Sequence, residues 1–412
     1  MIKFQKFTLD NGLTVIIHED KSTPLVCVNT LYKVGAKDED PELTGMAHLF
    51  EHLMFGGSKH APNFDRILEE AGGENNAFTN NDVTNYYDIL PAANLETALW
   101  LEADRMQNLN LDEKSIAVQK SVVTEEFKEN YLNQPYGDMD AIMRDMAFKK
   151  HPYRWSTIGL AIEHIKNTTR EKLLKFYKSY YAPGNAVLVL AGNIDSFKSL
   201  ELVKKHFADI PVGIIPEETT ITEPEQLSQR ETIREENVPQ DAILMGFHMP
   251  GRLHQNYHAA DLISDILANG KSSRFYAGLV REKQKFSELD AYIWGSTYPG
   301  LFIIHGYPAE GISLKDAEKF IWEEIDKLRE NGCQNKELTK VKNKAVSAWM
   351  FSNIALNNKA FHLAYFENLG DVGLINKEDN LISTVTHEQI RKTAKEMLNR
   401  NSASILKYHA KS

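Results

Sequence analysis

Cysteine is scarce: 412 residues hold two, Cys27 and Cys333, far apart in the chain. They cannot build a disulfide framework, and free thiols fit a reducing compartment. Positive charge is not in excess either. Lys and Arg number 47 against 57 Asp and Glu, a net charge of -10, which argues against a nucleic-acid binder. No apolar run approaches the ~18 residues of a membrane span. The start, Met1-Ile2-Lys3-Phe4-Gln5-Lys6, turns to charge too early for a signal-peptide core. The expectation is a soluble chain with neither nucleic acid nor membrane as partner, cytoplasmic, or periplasmic if its start has been trimmed. Glycine (23) and proline (14) are too few for a collagenous or low-complexity chain. What is there is ordinary globular material, 42% hydrophobic and 25% charged, in a length that predicts two to three domains.

Alternation over residues 4–18 around Asn11-Gly12 predicts a β-hairpin, and 24–34 another strand. Helical periodicity runs through 44–55, with Thr44 as cap and Gly56-Gly57 as stop, and through 63–71 up to Gly72-Gly73. A strand pattern returns over 75–90. Amphipathic helices follow at 92–107 and 112–132, and a strand at 185–192. Residues 211–228 are rich in Pro, Glu and Thr without periodicity. The expected domains are therefore 1–212 and 229–412, joined by a linker at 213–228.

After the linker the order repeats: a strand at 242–249, a helix through Ala260–Leu267, a strand at 300–306, then a pair of amphipathic helices. The apolar positions of the two leading helices coincide at an offset of 261 − 48 = 213. Each helix ends at a glycine followed closely by serine, Gly57-Ser58 and Gly270-Lys271-Ser272. Duplicated α+β units are the expectation. Where the first copy has His48, Glu51 and His52, the second has Asp261, Ser264 and Asp265.

Helical spacing places Met46, Leu49, Phe50, Leu53 and Met54 on one apolar face. His48 and His52, four apart, lie one turn from each other on a different face, where two imidazoles can reach one zinc ion. Glu51 sits beside them, placed to accept a proton from zinc-bound water in a reversed HExxH arrangement. A third protein ligand is needed. The helix at 112–132 offers Asp112, Glu113, Glu125, Glu126 and Glu129, among which spacing does not choose.

His48-Leu49-Phe50-Glu51-His52, continued by Leu53-Met54-Phe55-Gly56-Gly57-Ser58, resembles the inverted zinc motif of the M16 metallopeptidases. Pitrilysin, insulin-degrading enzyme and the mitochondrial processing peptidases belong to that family. Gly72-Gly73-Glu74-Asn75-Asn76-Ala77-Phe78-Thr79, Thr84-Asn85-Tyr86-Tyr87 and Val122-Val123-Thr124-Glu125-Glu126 match it as well. Further along stand His151-Pro152-Tyr153, Tyr181-Ala182-Pro183-Gly184-Asn185 and Ser272-Ser273-Arg274. The resemblance is dense in the first half, looser in the second, and strongest to the short bacterial M16B type. It implies His48 and His52 as zinc ligands, Glu51 as the catalytic base, and a third ligand closing a Val-x-x-Glu pattern. Two registers fit, ending at Glu125 or Glu126; the full Val-Val-x-x-Glu form favours Glu126. Asn76-Ala77-Phe78 matches the edge strand implied to bind substrate backbone. Two family features are absent: Gln119 stands where a second acid often lies, and Arg281 is followed by Glu288 where a Tyr completes an Arg/Tyr pair.

The resemblance implies an α+β fold of two homologous LuxS/MPP-like α–β rolls, each a mostly antiparallel sheet packed on helices, together half of an M16 clamshell. It implies one Zn²⁺ per chain and a metalloendopeptidase acting on short or unfolded peptides. Family chambers hold four such units, so this chain is expected to form a homodimer, or a heterodimer with a second M16-like subunit. The alternative is a non-catalytic scaffold subunit, but such subunits typically lose the zinc residues that this sequence keeps.

Overall fold

Apolar runs become strands buried on both faces, and alternating runs become strands nearer an edge. The computed structural model describes residues 1–213, 217 and 221–411, so part of the expected linker at 213–228 lies outside the described residues. The first half of the chain begins β1 (Gln5–Thr8), β2 (Thr14–Glu19), β3 (Leu25–Tyr32), α1 (Met46–Leu53) and α2 (Phe64–Glu70). It continues through β4 (Glu74–Thr79), β5 (Thr84–Pro91), α3 (Leu95–Asn108), α4 (Glu113–Phe127) and α5 (Met139–Ala147). It closes with α6 (Ile162–Lys166), α7 (Arg170–Tyr180), β6 (Ala186–Gly192) and α8 (Ser196–Phe207). The second half holds β7 (Arg230–Glu236), β8 (Ala242–His248), α9 (Tyr257–Leu267), β9 (Phe286–Trp294) and β10 (Leu301–Pro308). After these come α10 (Leu314–Asn331), α11 (Asn335–Ser352), α12 (Leu356–Asn368), α13 (Glu378–Ser383), α14 (His387–Met397) and β11 (Ala403–Ala410).

One sheet has the order β1-β2-β6-β3-β5-β4, the other β7-β11-β8-β10-β9. Setting β1 aside, the pairings correspond step by step. β2 and β6 run parallel, as do β7 and β11, and every later pair in both sheets is antiparallel. Two mostly antiparallel sheets of one topology, each packed on helices, are the α+β rolls expected from the repeat.

The described residues form two compact units that do not follow the chain in simple order. The first comprises Met1–Lys128, Trp155–Thr220 and Met350–Lys377, and the second Glu129–Arg154, Ile221–Trp349 and Glu378–Ser412. Helix α12, from the second half of the sequence, packs on β3 and β6 of the first unit, while α5 packs on β8 and β11 of the second. A boundary read from composition at 213–228 does not carry this exchange, because an amphipathic helix bears no mark of which sheet it will cover.

The exchanged helix explains why β6 is apolar throughout. Val15, Ile17, Val26, Val28, Leu188 and Leu190 enter the core that holds Leu49, Phe50 and Leu99 of α1 and α3. The alternate set, Ile16, Cys27, Leu31, Val187 and Val189, is equally buried, on the face that α12 covers. The strand pattern over 75–90 divides into β4 and β5 at a tight turn, where Asn80 Oδ1 accepts the amides of Asp82 and Val83 at 2.8 and 2.9 Å. The helix expected over 112–132 is α-helical to Phe127 and widens into a π-type turn over Lys128–Leu132. Among the described residues no helix is long and apolar enough to cross a membrane.

Candidate metal centre

Helix α1 is only two turns long, and its place is set by what it buries. Met46, Leu49, Phe50 and Leu53 are buried, with the Phe50 ring packed against those of Phe176 and Tyr181 at 5.2 and 5.1 Å. Tyr86 Oη on β5 donates to the Phe50 carbonyl at 3.3 Å. With that face fixed, the opposite one turns His48, Glu51 and His52 toward α4, which packs against α1.

Glu126 on α4 meets the two histidines. Its Oε2 is 3.4 Å from His52 Nε2 and 3.6 Å from His48 Nε2, and the two Nε2 atoms are 3.3 Å apart. Zinc bonds of about 2.0–2.2 Å in tetrahedral geometry require donor separations of roughly 3.3–3.6 Å. The donor set therefore fits one zinc ion on three edges of a tetrahedron, leaving a fourth corner open, as catalytic sites do. Among the described residues His48, His52 and Glu126 are the only such group.

The electrostatics favour the ligating forms. Burial pushes the His48 imidazole below its ordinary range, against the pull of Glu126, so it is neutral near pH 7. A hydrogen bond from His52 holds the Glu126 carboxyl below the usual carboxylate range, opposed by its burial. Glu51 is half-buried beside these groups and touches His48 through its charge.

The other candidates fall elsewhere. Glu125 is exposed and paired with Lys128 at 2.6 Å, so of the two registers only Glu126 faces the histidines. Asp112 caps α4 through the Ser115 amide at 2.9 Å, and Glu113 and Glu129 are exposed. Asn76, Ala77 and Phe78 lie on β4, the last strand of its sheet, which pairs with β5 on one side. Ala77 N donates to Asn76 Oδ1 at 2.8 Å, and the Phe78 ring meets Phe361 of α12 edge-on at 5.0 Å. Arg281 pairs with its neighbour Glu282 at 3.1 Å on an exposed surface.

The corresponding place in the second unit carries different chemistry. Burial and Asp265 push the Asp261 carboxyl up to about 6. Asp265 is also raised by burial, with Lys344 and Lys340 of α11 acting against it. The lysines act on Asp265, whereas Asp261 feels Arg252 and the Glu378 carboxylate, and among the described residues no group of three metal donors forms there.

Two features escape a reading by spacing. Thr44 does not cap α1; the N-cap is Gly45, in the left-handed region at φ +89°, and a buried carboxyl, Glu39, takes the first-turn amides. In the core, Thr30, Asp88, Glu102 and Arg105 form a buried polar group among apolar neighbours. Glu102 and Arg105 are three apart on α3, but spacing does not show that this pair is buried or that Thr30 and Asp88 join it, which happens only when β3, β5 and α3 pack.

The family model described as "Insulinase (Peptidase family M16)" matches residues 14–159, and that described as "Peptidase M16 inactive domain" matches 167–345. The zinc protease PqqE of Helicobacter pylori is 31% identical over 377 residues, covering 90% of this chain and 82% of that protein. The crystal structure of a protease from Helicobacter pylori superposes with a TM-score of 0.92 at 28% identity, covering 99% of this chain and all of that one. The periplasmic protease PqqL from Escherichia coli shares the fold at a TM-score of 0.81 and 18% identity. In that alignment 99% of this chain spans 48% of the longer one. With matching models over both halves and a relative at this identity across most of its length, the chain belongs to the M16 peptidase family.

Proposed function

We propose that this chain is a zinc-dependent metalloendopeptidase that cleaves short or unfolded peptides within a chamber completed by a second subunit. The observation that carries the proposal is the set of three donor atoms, His48 Nε2, His52 Nε2 and Glu126 Oε2, at the separations of one tetrahedral face. Zinc held there would supply a Lewis acid for the scissile carbonyl and a water of lowered pKa. Glu51 is the general base in this reading: it takes the proton of the attacking water and delivers it to the leaving amine. The edge of β4 at Asn76, Ala77 and Phe78 receives the substrate as an added strand, main chain to main chain. Residues 1–212 supply the metal-bearing domain and 229–412 a domain without metal, with α5 and α12 exchanged between them. The 48% span on the longer PqqL chain supports a second copy, or a related subunit, as the missing half.

Metal analysis together with a quenched-peptide assay tests this. One zinc per chain is expected, with hydrolysis abolished by a chelator and restored by added Zn²⁺. Hydrolysis that survives removal of the metal would overturn the proposal.

A further inference from the structure

A two-turn helix does not hold its own register in water; the contacts at its ends set it. At the start of α1 these contacts are unusual. The Thr44 hydroxyl accepts the Leu160 amide at 2.8 Å and lies 2.8 Å from His164 Nδ1, turned away from the helix. Gly45 has no side chain to offer, and a Cβ there would come 2.7 Å from the Ile158 carbonyl oxygen. The free amides of the first turn go to a residue six positions upstream. Gly45 N donates to Glu39 Oε2 and Ala47 N to Glu39 Oε1, each at 2.8 Å. Ala47 immediately precedes His48.

Glu39 is 6% exposed. Burial outweighs the two amide hydrogen bonds and pushes the Glu39 carboxyl up to about 8, so near pH 7 it stands mostly as the neutral acid, its two oxygens still taking the Gly45 and Ala47 amides. The loop that carries it is pinned in turn: Asp38 Oδ2 accepts Gly35 N at 2.9 Å, and Trp155 Nε1 donates to the Ala36 carbonyl at 2.8 Å. Both carboxyl oxygens are engaged, so the clamp restrains the rotation of α1 as well as its position along the axis.

We infer that Glu39 is a positioning residue for the metal centre. It locks the rotation of α1 so that the Nε2 atoms of His48 and His52 stay aimed at Glu126 Oε2, at 3.6 and 3.4 Å. The inference rests on the metal reading proposed above. Outer groups that orient metal ligands are worth about 10- to 100-fold in metal affinity, and the helix-capping carboxyl does that work for two ligands at once.

The test compares the full-length wild type, Glu39→Ala and Glu39→Gln by competition for Zn²⁺ against a fluorescent chelator. It adds the visible spectrum of the Co²⁺-loaded proteins and thermal melting of the metal-free ones. Glu39→Ala is expected to weaken zinc binding by about 10-fold or more and to alter the Co²⁺ bands. Glu39→Gln, which keeps one carbonyl acceptor, is expected to recover part of that loss. A lowered melting temperature of metal-free Glu39→Ala with zinc affinity within 2-fold of wild type would overturn the inference, reducing Glu39 to a fold-stabilising cap. Should the alanine variant fail to fold, a glutamine variant with unchanged affinity and Co²⁺ spectrum would overturn it equally. A wild type that does not bind zinc overturns the metal reading and this inference together, whereas a zinc-binding wild type with an equally tight Glu39→Ala overturns this inference alone.

Discussion

Glu51→Gln is expected to lower kcat on a quenched peptide by about 100- to 10,000-fold, the range that a positioned general base contributes. Zinc content should stay at the wild-type level and KM should change little. The change is nearly isosteric, and the apolar face that seats α1, from Met46 to Leu53, is untouched. Glu51 is not among the three converging donors, so its amide leaves the donor set whole while losing the ability to accept a proton. Glu126→Gln should behave in the opposite way. It replaces a donor oxygen that lies 3.4 and 3.6 Å from the two imidazoles, so metal and activity should fall together. Metal analysis beside steady-state kinetics separates the two roles. A Glu51→Gln protein with a tenth or more of wild-type kcat would sink the base assignment. One that lost its zinc would make Glu51 a supporter of the ligands.

How much of this was legible beforehand depended on how local the signal was. His48, Glu51 and His52 share one helix, so a spacing of four and three residues carries both the metal chemistry and the orientation. Glu126 lies 126 − 52 = 74 residues beyond His52, and no periodicity spans that gap. The resemblance narrowed the choice to two adjacent glutamates, and packing separates them, one toward the histidines and one toward Lys128. The repeat was readable because both copies keep the same apolar spacing, and the two sheets carry the same order of pairings. The traffic of α5 and α12 was not, since amphipathicity says that a face is buried but not beneath what. Glu39 was hidden for a related reason. A serine or threonine beside a helix start is a local cap signal, and here Thr44 supplied that signal while bonding elsewhere.

Arg105→Met is expected to be the most damaging single change in the first unit, costing about 3–5 kcal/mol. Arg105 is 1% exposed, and its guanidinium donates to Glu102, itself wholly buried. Glu102 also accepts the Thr30 hydroxyl at 2.7 Å. The guanidinium carbon lies 4.5 Å from the centre of the Tyr86 ring and 4.6 Å from that of Phe64, so its flat faces are filled by aromatic rings. Asp88 is buried nearby, and its carboxyl is driven far above the ordinary range by desolvation and then by Glu102, so it stays neutral. One cation thus balances one carboxylate, and removing the cation leaves Glu102 buried without a counter-charge. Methionine fills much of the volume, so the loss is electrostatic before it is steric. Thermal melts would show a midpoint lowered on the order of 10 °C. The double variant Arg105→Met/Glu102→Leu should recover much of the loss, because an apolar pair of similar volume avoids burying a lone charge. A single variant as stable as wild type, or a double variant no more stable than the single, would contradict this account. Tyr86 links this charge group to the helix that carries His48 and His52, because its hydroxyl reaches the Phe50 carbonyl inside α1. A loosened Arg105 site should therefore also loosen α1, seen as faster amide exchange at Phe50–Met54 than at the equally buried strand β6.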